Sequence, residues 1–275
     1  MNHLTTAGLA LCLALAAASG GALGADERGS SGNSNGSSNS AGERDGKSSE
    51  SRPIDARVVR VKLDGVIDLK LRQGAVAQLV LTGERKFLGK TTTVQSGDTL
   101  TIDTDDRNIK IGRRHMLHAE LTLPRLRELR SDSVGSTEVF GFSGDEIDLT
   151  LDGAGAMKVV ADYRVVNASL GGIGSMNIQS GNSERIDLNL HGAGYVTLIG
   201  RTKVLKASLG GLGGLDAEKF QADSVDLDMS GLGNASVQAR QNAVLNLSGM
   251  GSVTVYGKPQ NRTVSVDGLG KVSWK

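Results

Sequence analysis

Three aspartates, Asp148, Asp187 and Asp226, recur at intervals of 39 residues. Asn167 and Lys206 stand midway between them, and Asn189 and Asp228 follow two residues after Asp187 and Asp226. Opposed carboxylates are what a glycosidase or lyase needs. One protonates the leaving oxygen while the other activates water, at roughly 6.5–9.5 Å in inverting enzymes. Asp223, Asp226 and Asp228 add a local acidic patch. Metal ligands are sparse. His115 and His118 are three residues apart, which puts them on opposite faces of a strand, while His191 stands alone at a corner and His3 goes with the amino-terminal signal segment. Gly-x-Gly pairs invite a phosphate-loop reading, which requires a helix after the glycines. Here apolar alternation follows each pair, so no nucleotide site is expected. Gly210-Gly211-Leu212-Gly213-Gly214-Leu215-Asp216 comes nearest to a calcium-binding nonapeptide, with its Asp one residue late. Gly-x-Ser-x-Gly does not occur. The basic stretch Arg107–Arg114 alternates as a solvated edge strand would, the other reading being a hold on an anionic glycan. No catalytic residue, cofactor or metal is expected.

These residues are positioned by a repeat. Gly-x-Gly begins at Gly153, Gly172, Gly192, Gly211, Gly231, Gly249 and Gly268, in steps of 19, 20, 19, 20, 18 and 19 residues. Ser133-Val134-Gly135 is a degenerate copy one step earlier. With the first glycine as zero, minus two reads Leu151, Leu170, Leu190, Leu209, Met229, Leu247 and Val266. Minus four and minus six are also apolar, except Arg262. Alternation over six residues is a strand with one buried face. A second strand follows each pair, as in Val253-Thr254-Val255, and a variable turn completes the coil. Equivalent strands of stacked coils pair in parallel about 4.8 Å apart, so seven coils make a rod of roughly 34 Å. Even offsets face in and odd offsets face out. The outward positions minus three and minus five form a polar stripe containing Asp148, Asn167, Asp187, Asn189, Lys206, Asp226 and Asp228. Aspartates two coils apart stand about 10 Å from one another. The stripe reads as a solvated face, its side chains hydrogen-bonded up and down the stack, or as a binding stripe for a polymer. The glycines read as corner markers, not as a site.

The rest of the 275 residues divides simply. Residues 1–25 read as a signal peptide: Leu4 to Ala18 is apolar and short for a membrane span, and small residues follow. The only cysteine, Cys12, sits in that stretch behind Leu11, which is wrong for a lipoprotein box. Residues 26–52 read as a disordered Ser/Gly/Asn linker. Residues 53–131 read as an irregular β-rich cap with a turn at Ser96-Gly97-Asp98, and 132–275 as the repeats, one continuous domain from 53. No amphipathic helix is expected. Net charge is +1, which gives no electrostatic case for nucleic acid, and a membrane is a partner only if the signal is retained. The sequence classes as all-β, a parallel β-helix.

Leu190-His191-Gly192-Ala193-Gly194-Tyr195-Val196, Leu247-Ser248-Gly249-Met250-Gly251-Ser252-Val253 and the opening Val59–Leu69 resemble the head GIN domain family. Its members are exported bacterial proteins with a domain of unknown function and an adhesin label. The resemblance spans roughly residues 55–275 and implies a right-handed parallel β-helix. It brings no catalytic residues. The family often has Ser-Gly-Ser-Gly at its corners, where this chain has Ala, Ile, Leu or Met in the middle position. An autotransporter's carboxy-terminal membrane barrel is not expected, since the sequence reads to the last coil at Trp274-Lys275. The expectation is a non-enzymatic, exported module of the periplasm or cell surface that binds an envelope or extracellular ligand, glycan or protein. The alternatives are a polysaccharide lyase or hydrolase on the same scaffold, or a purely structural envelope protein.

Overall fold

Alternating strands need a partner on each edge, and the rod supplies one in the coil above and the coil below. The computed structural model describes residues 47–104 and 116–275. The signal reading, most of the linker, Arg107–Arg114 and His115 lie outside the described residues. In chain order the elements are β1 (Lys47–Arg52), β2 (Arg60–Asp64), β3 (Ile67–Gln73), β4 (Gln78–Glu84), α1 (Arg85–Leu88), β5 (Thr91–Ser96), β6 (Thr99–Thr104), β7 (Leu117–Leu123) and β8 (Glu128–Ser131). Then come β9 (Val134–Leu151), β10 (Ala154–Leu170), β11 (Ile173–Leu190), β12 (Ala193–Leu209), β13 (Leu212–Met229), β14 (Leu232–Leu247), β15 (Met250–Tyr256), β16 (Asn261–Val266) and β17 (Lys271–Trp274).

From β9 to β14 each strand is one whole coil. It starts at the middle residue of one Gly-x-Gly and ends two residues before the next, so the corner is its only interruption. Neighbouring coils pair in parallel. Met157 stands on Met176, then Val196, Leu215, Ala235 and Val253; Leu170 stands on Leu190, Leu209, Met229 and Leu247. These residues are buried and form one continuous core. The parallel β-helix of about 7 turns is therefore what the repeat foretold. Register shifts fall at the variable turn, as between Ser180 and Ser183, so coils of unequal length still stack in step at their corners. In the last coil Val264 and Val266, inward by their offsets, are exposed, because no described coil covers them.

The corners need glycine for two reasons. A Cβ on Gly172 would overlap the Gly153 carbonyl below it, and one on Gly213 would overlap the Gly194 carbonyl. Gly213 also sits at φ +138°, a conformation that strains other residues.

The amino-terminal part is more ordered than an irregular cap. β2, a corner at Gly65 and β3 form one layer, which pairs in parallel with β8 and β9 on one side and with β6 and β7 on the other. Antiparallel strands close the end. β5 pairs with β6 through the expected turn, with Gly97 at φ +61°, and β4 pairs with β7. The linker reading ended at 52, but its last six residues are β1, antiparallel to β4. Arg52 fixes this strand: its guanidinium donates to the carbonyls of Thr91 (2.8 Å) and Leu88 (3.3 Å) and to Thr93 Oγ1. The single turn α1, Arg85–Leu88, was not expected; four residues are too few to leave a helical period, and only Leu88 is buried.

Gly213→Ala should keep the β signature but lose about 2–3 kcal/mol of stability, from the carbonyl overlap and the strained φ together. Urea unfolding of the two proteins measures this, and an unchanged midpoint would refute the close-approach account of the corners.

Candidate functional site

The polar stripe lies on the sheet face that leads into each corner. Pairing brings Asp148, Asn167, Asp187, Lys206 and Asp226 into one row, and Asn189, Ser208 and Asp228 into the row beside it. Within the rows the side chains largely satisfy one another. Asn167 Nδ2 donates to Asp148 Oδ1 (2.8 Å) and to Glu146 Oε1 (2.9 Å), and Asn246 Nδ2 donates to Asp228 Oδ1 (2.8 Å). Arg185 Nε reaches both oxygens of Asp187, at 2.8 and 2.9 Å. Lys206, between Asp187 and Asp226, makes no ion pair among the described residues. A shallow depression of about 360 Å³ opens around it, lined by Asn167, Arg185, Asp187, Asn189 and Ser208. The three aspartates are separated by intervening coils.

A deeper cavity of about 430 Å³ lies where Pro124–Arg127 crosses from β7 to β8, past the β2–β3 layer. Arg60, Arg125, Arg127, Glu128, Asp145 and Asp148 line it. Glu128 stands opposite Asp148 in the β8–β9 register, the nearest approach here to the two-carboxylate cleft of a glycosidase. Each acid is already engaged: Glu128 with Arg60 (3.5 Å), Asp148 with Asn167, and Asp145 with Arg164 (3.2 Å). Arg164 also meets Glu184 (3.1 Å), and with Lys203 it holds that carboxyl below its ordinary range. Beneath the cavity, the buried Tyr163 hydroxyl donates to the Leu126 carbonyl (2.7 Å), and burial raises its pKa. Sequence reasoning did not single out Tyr163. Its only signal was an aromatic residue at an inward offset.

His118 Nδ1 lies 3.4 Å from Asp68 on the surface, away from His191. Among the described residues no group of three or more His, Cys, Asp or Glu is placed to hold a metal. The Asp216 of the calcium-like segment instead accepts from the backbone N–H of Glu218 (3.1 Å).

The corners form a third feature. The middle residues of the Gly-x-Gly pairs point outward, as their odd offset requires, although most are large and apolar: Ile173, Leu212, Leu232 and Met250 are exposed. Beside them runs an open trough of about 460 Å³, lined by His191, Ala193, Ser230 and the glycines. The sequence reading treated these positions as markers of the turn and missed the surface they build. The signal was available, as an apolar residue type at an outward offset.

The family described as "Putative auto-transporter adhesin, head GIN domain" matches residues 59–259. No curated protein matches the chain. Among solved structures, a "putative adhesin" from Parabacteroides merdae ATCC 43184 superposes with a TM-score of 0.75 at 16% identity, over 83% of this chain and 96% of that one. A "putative adhesin" from Parabacteroides distasonis ATCC 8503 gives 0.74 at 18% identity, over 84% and 98%. A "putative lipid binding protein" from the same organism gives 0.72 at 16% identity, over 82% and 96%. At these identities the likeness is one of fold.

The Tyr163 hydroxyl is buried and bonded only in its protonated form. The phenol's pKa is raised in the fold, so its contribution is complete below the unfolded value of about 10 and is lost as pH rises beyond it. Tyr163→Phe should cost about 1–2 kcal/mol near neutral pH, because the Leu126 carbonyl loses its donor. It should also remove part of the alkaline destabilisation. Urea unfolding of both proteins at pH values of about 7 and about 11 tests this, and parallel losses of stability would reject the assignment.

Proposed function

This chain belongs to the head GIN domain family, and from that premise we propose that it is an exported, non-enzymatic β-helix acting as an adhesin-like binding module of the bacterial cell envelope. The polar stripe is its contact face. The observation that carries this reading is the single row Asp148–Asn167–Asp187–Lys206–Asp226, which presents one polar group at each layer, three acids, an amide and an ammonium that makes no ion pair among the described residues. Such a row offers hydrogen bonds at about 4.8 Å intervals along a line of roughly 20 Å. That fits an extended glycan or a protein surface better than a small molecule, which needs a concave pocket. The engaged state of every acid around the crossover cavity speaks against carboxylate catalysis there.

The test is retention of the folded unit on immobilised envelope polysaccharide and envelope protein fractions. Wild type should be retained above a blank matrix. Asp187→Ala/Lys206→Ala should bind about five- to tenfold more weakly, the effect of one or two lost polar contacts. Equal retention of the double variant would move the contact off the stripe, and no retention of wild type would end the binding reading. New reducing ends or unsaturated sugars released from the polysaccharide would replace it with the enzymatic one.

A further inference from the structure

Five successive corners carry an apolar residue on the outside and no Asp, Glu, Lys or Arg within the corner itself. The corners read Gly171-Gly172-Ile173-Gly174-Ser175, His191-Gly192-Ala193-Gly194-Tyr195, Gly210-Gly211-Leu212-Gly213-Gly214, Ser230-Gly231-Leu232-Gly233-Asn234 and Ser248-Gly249-Met250-Gly251-Ser252. Asp, Glu, Lys and Arg make up 22% of the chain, yet none falls in this strip. Pairing sets the middle residues in one row: Ile173, Ala193, Leu212, Leu232, Met250. Ile173 is 68% exposed, Leu212 55%, Leu232 44% and Met250 55%. Adjoining large apolar groups left in water in register, rather than scattered, mark a contact surface.

The chemistry of the strip selects its partner. The backbone beneath the ridge is already hydrogen-bonded from coil to coil: Ala193 N to Gly172 O (3.0 Å), Leu212 N to Gly192 O (3.0 Å), Leu232 N to Gly211 O (3.1 Å). A glycan laid along the ridge would meet Ile173, Ala193, Leu212, Leu232 and Met250, which offer no side-chain donor or acceptor, and could reach the flanking Ser, His, Asn and Tyr only at its edges. A single acyl chain would lie in an open trough on a convex corner, with much of its surface still wet. A second protein would gain too little, because the row is about 19 Å long and one side chain wide. That is far below the roughly 800 Å² per partner of a stable protein interface. A planar hydrocarbon surface meets none of these objections. A straight ridge can enter it along its whole length, the nearest acids, Asp152 beside Gly171 and Asp216 near Tyr195, lie outside the five corners and can stay at the wet headgroup level, and Tyr195 stands beside the ridge with an apolar ring and a polar tip.

We propose that this corner docks the rod lengthwise on a lipid bilayer, with Ile173, Leu212, Leu232 and Met250 among the acyl chains. Docking is driven by burial of apolar surface and not by attraction to anionic headgroups. It is contact without crossing: among the described residues no helix is long and apolar enough to span a membrane. It does not require the amino-terminal apolar stretch, and it leaves the polar stripe facing water.

The experiment uses the folded unit Arg44–Lys275, which has its own continuous core and lacks the apolar stretch that would itself partition into lipid. It is sedimented with vesicles of phosphatidylcholine alone. Wild type should co-sediment. Raising salt from about 0.1 to about 1 M, which shortens the Debye length from roughly 10 to 3 Å, should not release it. Leu212→Ser/Leu232→Ser/Met250→Ser changes only exposed side chains and should fold, as circular dichroism will report. Its partitioning should fall about tenfold or more. The unit contains no cysteine, so Leu232→Cys and Asp228→Cys can each carry an environment-sensitive dye. The label at 232 should shift to the blue on vesicles and the label at 228 should not. The proposal is overturned if wild type stays in the supernatant, if the triple variant binds equally well, or if binding needs anionic lipid. It is also overturned if sedimentation velocity shows a dimer that the triple variant loses, which would give the ridge to a second copy.

Discussion

Successive coils stack only as closely as their backbone pairing demands, and at each corner that distance leaves no room for a β-carbon above the carbonyl below. The arrangement of side chains follows from this close approach. Glycine at both ends of a three-residue corner lets the backbone ladder continue through the bend, so the coils remain in register on both faces. Register in turn sets like residues above like residues, and the core becomes columns of Leu, Val and Met. The same columns exist on the outside, where like residues also meet: acids with amides on one face, and apolar residues along the corner. A parallel stack therefore converts a one-dimensional sequence period into surface rows of a single chemistry.

Rows of this kind are legible only in part from sequence. The strands, the corners and the polar stripe could be assigned because each contact recurs six or seven times, and one atypical residue such as Arg262 does not hide the pattern. β1 gave no such signal. Its sequence, Lys-Ser-Ser-Glu-Ser-Arg, buries nothing of note, and it is held by backbone pairing and the Arg52 guanidinium, neither of which leaves an apolar period. The register of the stripe residues follows from their spacing, but their partnerships depend on rotamers: Asn167 binding two acids at once, while Lys206 makes no ion pair among the described residues, is not a matter of spacing. The corner ridge shows a different limit. Its residue types and its outward parity were both visible, but a glycine motif explained by the turn draws attention away from the residue it encloses.

The two ends of the rod are treated differently. At the amino end, β4, β5 and β1 run antiparallel to the layers beneath them, and Arg52 ties the outermost strand to the turn at Leu88 and to Thr91. A change of strand direction stops the stack, because the next parallel coil would meet the wrong pattern of donors and acceptors. The antiparallel strands thus do the work that a polar capping repeat does in other solenoids.

The β2–β3 layer has a consequence for how the chain comes together. Elsewhere each coil touches neighbours 18 to 20 residues away. This layer is flanked by strands that follow it by 39 and 68 residues, Arg60 pairing with both Thr99 and Glu128. Closing the longer loop costs only about 1 kcal/mol more than closing a 19-residue one, so the penalty falls on order of assembly more than on stability. As the chain emerges from its amino end, this layer has neither of its neighbours, and both arrive later. The amino-terminal third must then form as one cooperative block, whereas the remaining coils can be added to it singly, each templated by an edge already in place.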